Sequence, residues 1–115
     1  MNERYTLKKN SDFRRLYTRG KSAVSPSLVV YCRRNRLGRN RFGFTVSKKL
    51  GKAVVRNRVR RRMREIARLN NDALLSGYDI ILVARGKAVN EKYRKLNDAF
   101  LHCCRQLGIQ KEPEE

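Results

Sequence analysis

The chain has 115 residues, 40% of them apolar and 34% charged, with a net charge of +19. That length holds one domain, and no apolar run approaches the roughly 20 residues needed to cross a bilayer. Residues 1–6 carry no apolar stretch of signal-peptide length, so a cytoplasmic protein is expected.

The charge is unevenly placed. Residues 13–64 hold 18 bases and no carboxylate, residues 65–115 hold eight of each, and residues 1–12 hold three bases and two acids. The excess therefore sits in the first half of the chain. A generally basic, solvated surface would not spare the second half, so the pattern points to a polyanionic partner. Cysteines are Cys32, Cys103 and Cys104. An odd number with two adjacent makes a poor disulfide framework. His102 lies beside two of them, but consecutive helical residues point about 100° apart and cannot converge on one ion. Buried reduced thiols are expected, with no metal and no cofactor held by protein side chains.

In chain order, residues 1–10 read as polar and either extended or loose. Ser11 is placed to cap a short helix through Arg19, with Gly20 as its stop. Phe13, Leu16 and Tyr17 share one face of it. Residues 22–24 predict a short extended piece, and residues 28–32 a β-strand. Residues 33–41 are basic with Gly and Asn, and predict a hairpin loop. Phe42, Phe44 and Val46 alternate with Gly43, Thr45 and Ser47, predicting a strand with two unlike faces. Residues 48–52 read as a turn. Residues 53–70 predict a long helix whose apolar stripe is Val55, Val59, Met63 and Ile66, ending at Asn70. After a connection over 70–77, residues 80–84 form an unbroken apolar strand, expected to be central or buried on both faces. Asn90 is placed to cap a last helix with Tyr93, Leu96, Phe100, Cys103 and Leu107 on one stripe and Gly108 as its end. The reading is a single α+β domain, an α/β sandwich of order α-β-β-β-α-β-α. Order is expected over about residues 5–108, with a disordered tail over 109–115.

Three constellations could carry chemistry. Six of the nine residues from 56 to 64 are Arg. Like charges at i, i+4 weaken a helix by tenths of a kcal/mol per pair. A structural helix would interleave Glu, so a phosphate backbone is the natural source of the missing anions. Ser47-Lys48-Lys49-Leu50-Gly51-Lys52 joins a strand to that helix at an anion-favouring N-terminus. It lacks the spacing of a nucleotide-binding P-loop, and the weaker alternative is a plain basic turn. Phe13, Tyr17, Tyr31, Phe42 and Phe44 lie in the acid-free half. They are either core or a stacking platform for single-stranded nucleic acid. Patterning alone leaves both open. One histidine and scattered acids supply no visible general acid–base pair or carboxylate metal cluster.

Residues 44–61, Phe-Thr-Val-Ser-Lys-Lys-Leu-Gly-Lys-Ala-Val-Val-Arg-Asn-Arg-Val-Arg-Arg, closely resemble the signature of the bacterial ribonuclease P protein component. The likeness extends to residues 8–13 with Gly20 and to residues 77–85, and covers roughly 5–108. The resemblance implies a ribosomal-protein-type fold with a left-handed β-α-β crossover. It implies a subunit of an endoribonuclease whose RNA is the catalyst and holds the Mg²⁺. The protein would have no catalytic side chain and would need no membrane and no protein partner. It would bind the ribonuclease P RNA through Lys49, Lys52, Arg56, Asn57, Arg58, Arg60, Arg61, Arg62 and Arg64, with Arg62 angled near the apolar stripe. It would bind the 5′ leader of precursor tRNA through Phe13, Tyr17, Tyr31, Phe44 and Lys48, so that the leader is cleaved to give the mature tRNA 5′ end. Three other classes remain at this point. They are a ribosomal or assembly protein of the same fold, a DNA-binding protein using the Arg helix, and a protein-only nuclease.

Overall fold

The structure, a computed structural model, describes residues 3–112. The elements in order are α1 (Asn10–Arg19), β1 (Lys21–Val24), β2 (Leu28–Arg34), β3 (Arg41–Thr45), α2 (Ala53–Asn70), β4 (Tyr78–Ala84) and α3 (Tyr93–Leu107). Short 3₁₀ turns occupy Glu3–Tyr5, Lys48–Leu50, Asn71–Ala73 and Gly86–Val89. The α+β class and the order of helices and strands are those expected from the sequence.

The strands form one sheet in the order β1-β2-β4-β3. β2 pairs antiparallel with β1 and β4, and β3 pairs parallel with β4. The expected hairpin across residues 33–41 is therefore corrected. β2 runs on to Arg34, and β4 enters between β2 and β3. The cause lies in β4 itself. Ile80, Ile81 and Leu82 are all fully buried, and only a central place covers both faces and both edges of such a run.

The pleat then sorts the side chains. Leu28, Val30, Cys32, Phe42, Ile80 and Leu82 meet Val59, Met63 and Ile66 of α2 and Leu96, Phe100 and Cys103 of α3 in the main core. The opposite face carries Ile81, covered by Leu7 and Leu16, with Phe13, Tyr31 and Val83 half-buried beside them. Burying Val59, Met63 and Ile66 stabilises α2 by about 6 kcal/mol at about 2 each. That exceeds the Arg–Arg repulsion on its outer faces several-fold.

Several local expectations are corrected. Ser11 does not cap α1, which starts at Asn10 after Lys9 and has no side-chain cap bond. Asn90 does not cap α3, whose N-cap is Lys92. Gly20 closes α1 with an extended backbone, not a left-handed one. Gly108 does end α3 in the left-handed region, at φ 74°. Of the two readings of the start, the extended one holds at Thr6, which bridges to Phe42. Leu7 is buried and its N–H donates to the Phe42 carbonyl at 2.8 Å. At the other end Ile109 is buried, and the Lys111 N–H donates to the Ala73 carbonyl at 2.8 Å. An apolar side chain next to the helix end thus holds residues 109–111 in place. Residues 113–115 of the expected disordered tail lie outside the described residues.

A bidentate ion pair fastens the start of β3 to β4. Arg41 donates from Nε to Asp79 Oδ1 at 2.8 Å and from Nη2 to Oδ2 at 2.7 Å. Asn35 Nδ2 adds a third bond to Oδ1 at 2.9 Å. Asp79 is buried, and its carboxylate pushes the Arg41 pKa up through the hydrogen bond. Asp79→Ala leaves Arg41 and Asn35 without this partner and is expected to cost about 2 kcal/mol. Urea unfolding checks this, and a loss near zero would refute it.

All three cysteines are free and buried. His102 is exposed while Cys103 and Cys104 face inward, as successive helical positions require. Burial pushes all three thiols up, Cys104 the furthest. Since the thiolate is the reactive form, native labelling at pH 8 should be slow, with three thiols reacting once the chain is denatured. Rapid native labelling of any one would contradict this packing.

Candidate nucleic-acid interface

The Arg-rich helix α2 sets its inward stripe on the core and leaves two flanks. One flank faces the 3₁₀ turn before α3. There Arg58 Nη2 donates to the Val89 carbonyl at 3.3 Å, and Arg62 Nη2 to the Glu91 carbonyl at 2.8 Å. Arg62, half-buried, is thus spent partly on holding the fold. On the other flank Arg56 Nε donates to the Gly51 carbonyl at 3.2 Å, and the Arg64 guanidinium lies 5.9 Å from the Phe44 ring centroid. Arg60 Nη1 reaches Asn57 Oδ1 at 3.0 Å. The side chains of Arg61, Lys49 and Lys52 make no hydrogen bond or ion pair among the described residues. Each guanidinium carries five N–H donors, so even the anchored arginines keep several free. The acid on α2 is Glu65, and it is paired with Arg68. The surface from Arg56 to Arg64 therefore presents cations with no internal anion to neutralise them.

The approach to α2 is shaped by its lead-in turn. Ser47 Oγ accepts from the Lys49 N–H at 3.2 Å. Gly51 has φ 144°, which a side chain rarely adopts, and a Cβ there would meet Val55 at 3.1 Å. Lys52 precedes the helix with no side-chain cap bond, and no acid lies in the first turn. The first N–H groups and the helix dipole are left for an anion.

A second arrangement lies on the α1 face of the sheet. Tyr17 and Tyr31 stack edge-on with ring centroids 5.0 Å apart, and Phe13 lies 6.4 Å from Tyr17. Tyr17 is 41% exposed, and its hydroxyl hydrogen-bonds Thr45 Oγ1 at 2.8 Å. Gly43 underlies Phe13, and a Cβ there would fall 2.6 Å from the Phe13 ring. Thr45 and Gly43 were missed by the sequence reading, although their alternation with Phe42 and Phe44 was the available signal. The expected grouping of Phe44 with these aromatics is corrected. On β3 alternate residues face opposite ways, so Phe44 joins Phe42 and the α2 core while Gly43 and Thr45 face α1. Lys48 stands exposed in the turn three residues beyond Thr45.

The arrangement suits RNA: a cationic helix with free guanidinium forks on one side and a partly exposed aromatic trio on the other. Comparison with known proteins decides the family. The family model described as Ribonuclease P matches residues 1–108. The chain belongs to the ribonuclease P protein family. The ribonuclease P protein component of Alkaliphilus oremlandii is 45% identical over 103 residues, 90% of each chain. That of Caldanaerobacter subterraneus is 41% identical over 115 residues, 99% of each. The solved ribonuclease P protein of Staphylococcus aureus superposes with a TM-score of 0.84 at 34% identity, covering 93% of this chain and 98% of that one. The Thermotoga maritima ribonuclease P protein gives 0.81 at 30% identity, covering 88% and 96%. A ribonuclease P protein is thus a component of an endoribonuclease. No helix among the described residues is long and apolar enough to cross a membrane.

Proposed function

We propose that this chain is the protein subunit of ribonuclease P, binding the catalytic RNA through α2 and the 5′ leader of precursor tRNA through the α1 face. The observation that carries the reading is the cationic surface of α2, where Arg56, Asn57, Arg58, Arg60, Arg61 and Arg64 meet no neutralising carboxylate. Lys49 and Lys52 extend it at the helix start, and Arg62 adds its remaining donors.

The work of the protein is electrostatic. Cations placed where two RNAs meet lower the repulsion between their backbones and so the Mg²⁺ concentration they need. Among the described residues no three His, Cys, Asp or Glu side chains come together. The reading assigns both the ions and the chemistry to the RNA. Phe13, Tyr17 and Tyr31, with Lys48 nearby, favour precursor over product because the product has no leader to stack. The protein acts in the cytoplasm and calls on neither a membrane nor a further protein.

The test is cleavage of a precursor tRNA at low Mg²⁺ by a bacterial ribonuclease P RNA alone, by the protein alone, and by both. Cutting at the mature 5′ end only in the mixture is the expected result. A mixture no better than RNA alone would sink the reading.

A further inference from the structure

Strand β3 meets α1 at each position it turns toward that helix. Arg41, Gly43 and Thr45 alternate onto the α1 face. The Arg41 guanidinium lies 4.0 Å from Asp12, and Gly43 sits beneath the Phe13 ring. These two contacts seat α1 on the sheet. The third is of another kind. The Thr45 and Tyr17 hydroxyls, 28 residues apart in sequence, share a hydrogen bond of 2.8 Å at an exposed position. Water can serve both hydroxyls there, so the bond adds little to stability. Its effect falls on the Tyr17 ring.

The three aromatic rings of this face are not equivalent. Phe13 and Tyr31 are half-buried against the smaller core cluster, whereas Tyr17 is the exposed one. Tyr31 meets Tyr17 edge-on, with the ring planes 84° apart. Two perpendicular rings cannot both lie flat on one base, so Tyr17 supplies the face and Tyr31 the buttress. A tyrosine ring has two torsions: χ1 swings it, and χ2 turns it about its long axis. The neighbouring Tyr31 ring opposes the turning. A hydrogen bond at the phenol tip opposes the swinging. Thr45 is a stiff, β-branched residue paired in register with Val83 of the central strand, so its hydroxyl is a fixed point.

We infer that Thr45 is a positioning residue for leader binding, its hydroxyl holding Tyr17 in the stacking orientation before any RNA arrives. Ordering a mobile side chain on binding weakens affinity, and a ring ordered beforehand escapes that loss. Thr45 acts through Tyr17 rather than on the RNA. The inference rests on the leader-binding reading and adds to it the device that sets the stacking ring.

The test uses the holoenzyme assembled with a bacterial ribonuclease P RNA. Affinities for precursor and for mature tRNA are measured, together with the melting of each protein variant. Thr45→Val keeps the shape of the side chain and removes its hydroxyl. Tyr17→Phe keeps the ring and removes the other half of the same bond. Each should lower the preference for precursor over mature tRNA by about two- to tenfold, the worth of one hydrogen bond. The Thr45→Val/Tyr17→Phe pair should lose no more than either change alone, and Thr45→Ser should keep the parent's preference. Should Thr45→Val fail to fold, Tyr17→Phe reads the same bond from its other end. Tyr17→Ala tests the leader reading by itself. If it lowers the preference while Thr45→Val and Tyr17→Phe do not, the positioning role alone is overturned. Lower melting with an unchanged preference in Thr45→Val makes the residue merely structural and overturns the role as well. So do losses that add in the pair, because each hydroxyl would then act on the RNA separately. A Tyr17→Ala protein with the parent's preference overturns the leader reading and the positioning role together.

Discussion

Replacing Arg60, Arg61 and Arg64 together by Gln should cut RNA affinity and leave the fold about as stable as before. These three side chains point away from the core, and none forms an ion pair with an acid in the structure. Each lost phosphate contact lowers the magnitude of the salt slope by about one, so a drop of about three is expected. Stability should scarcely change, because two small effects oppose each other. Removing Arg60 and Arg64 relieves the Arg56/Arg60 and Arg60/Arg64 repulsions, tenths of a kcal/mol each. Loss of the Arg64 contact with Phe44, about 0.5–1 kcal/mol, offsets that gain, so the net change is near zero. Arg62→Ala should behave differently, because its part-buried bond to the Glu91 carbonyl goes with it, at about 1 kcal/mol of stability. Salt-titrated binding and urea unfolding on both variants give the two readouts. If the triple variant keeps the parent's salt slope, α2 is not the phosphate-binding surface.

The contrast between Arg61 and Arg62 marks what the sequence could and could not say. The apolar spacing of Val59, Met63 and Ile66 gave the orientation of α2, and with it the outward set of arginines. It placed Arg62 near the stripe, but the carbonyl that Arg62 meets belongs to a turn 29 residues away. No local pattern encodes such a partner. The same holds for the sheet. The unbroken run in β4 announced a buried central strand, yet its insertion between β2 and β3 is a choice made by long-range packing. Neighbouring strands in sequence usually pair, and the basic stretch at 33–41 looked like their turn. Phe44 was misplaced for a simpler reason. Alternation told that Phe42 and Phe44 share a face, but not which helix covers it. Gly43 held that answer, since a residue without a side chain belongs where the Phe13 ring comes closest.

Gly43→Ala should therefore be destabilising even though alanine suits a strand better than glycine. The added Cβ would lie 2.6 Å from Phe13 Cζ, 2.9 Å from Cε1 and 3.3 Å from Leu7 Cβ. The backbone has little room to yield, because Gly43 is paired in register with Ile81 of the central strand. The Phe13 ring must swing out or α1 must lift. Overpacking of this kind costs about 1–3 kcal/mol. The smaller entropy of the unfolded alanine chain returns about 0.4–1 kcal/mol, so the net effect keeps its sign. Adding Phe13→Ala to Gly43→Ala removes the clash, and the coupling between the two changes should be visible in a double-mutant cycle. Function separates the partners further. Either change disturbs the Phe13–Tyr17–Tyr31 trio, and loss of one stacked base is worth about 1–3 kcal/mol. The preference for precursor over mature tRNA should fall by about fivefold or more in Gly43→Ala, and the double variant should recover stability without recovering that preference. A Gly43→Ala protein with parent stability and parent preference would show that Phe13 neither fills this gap nor touches the leader.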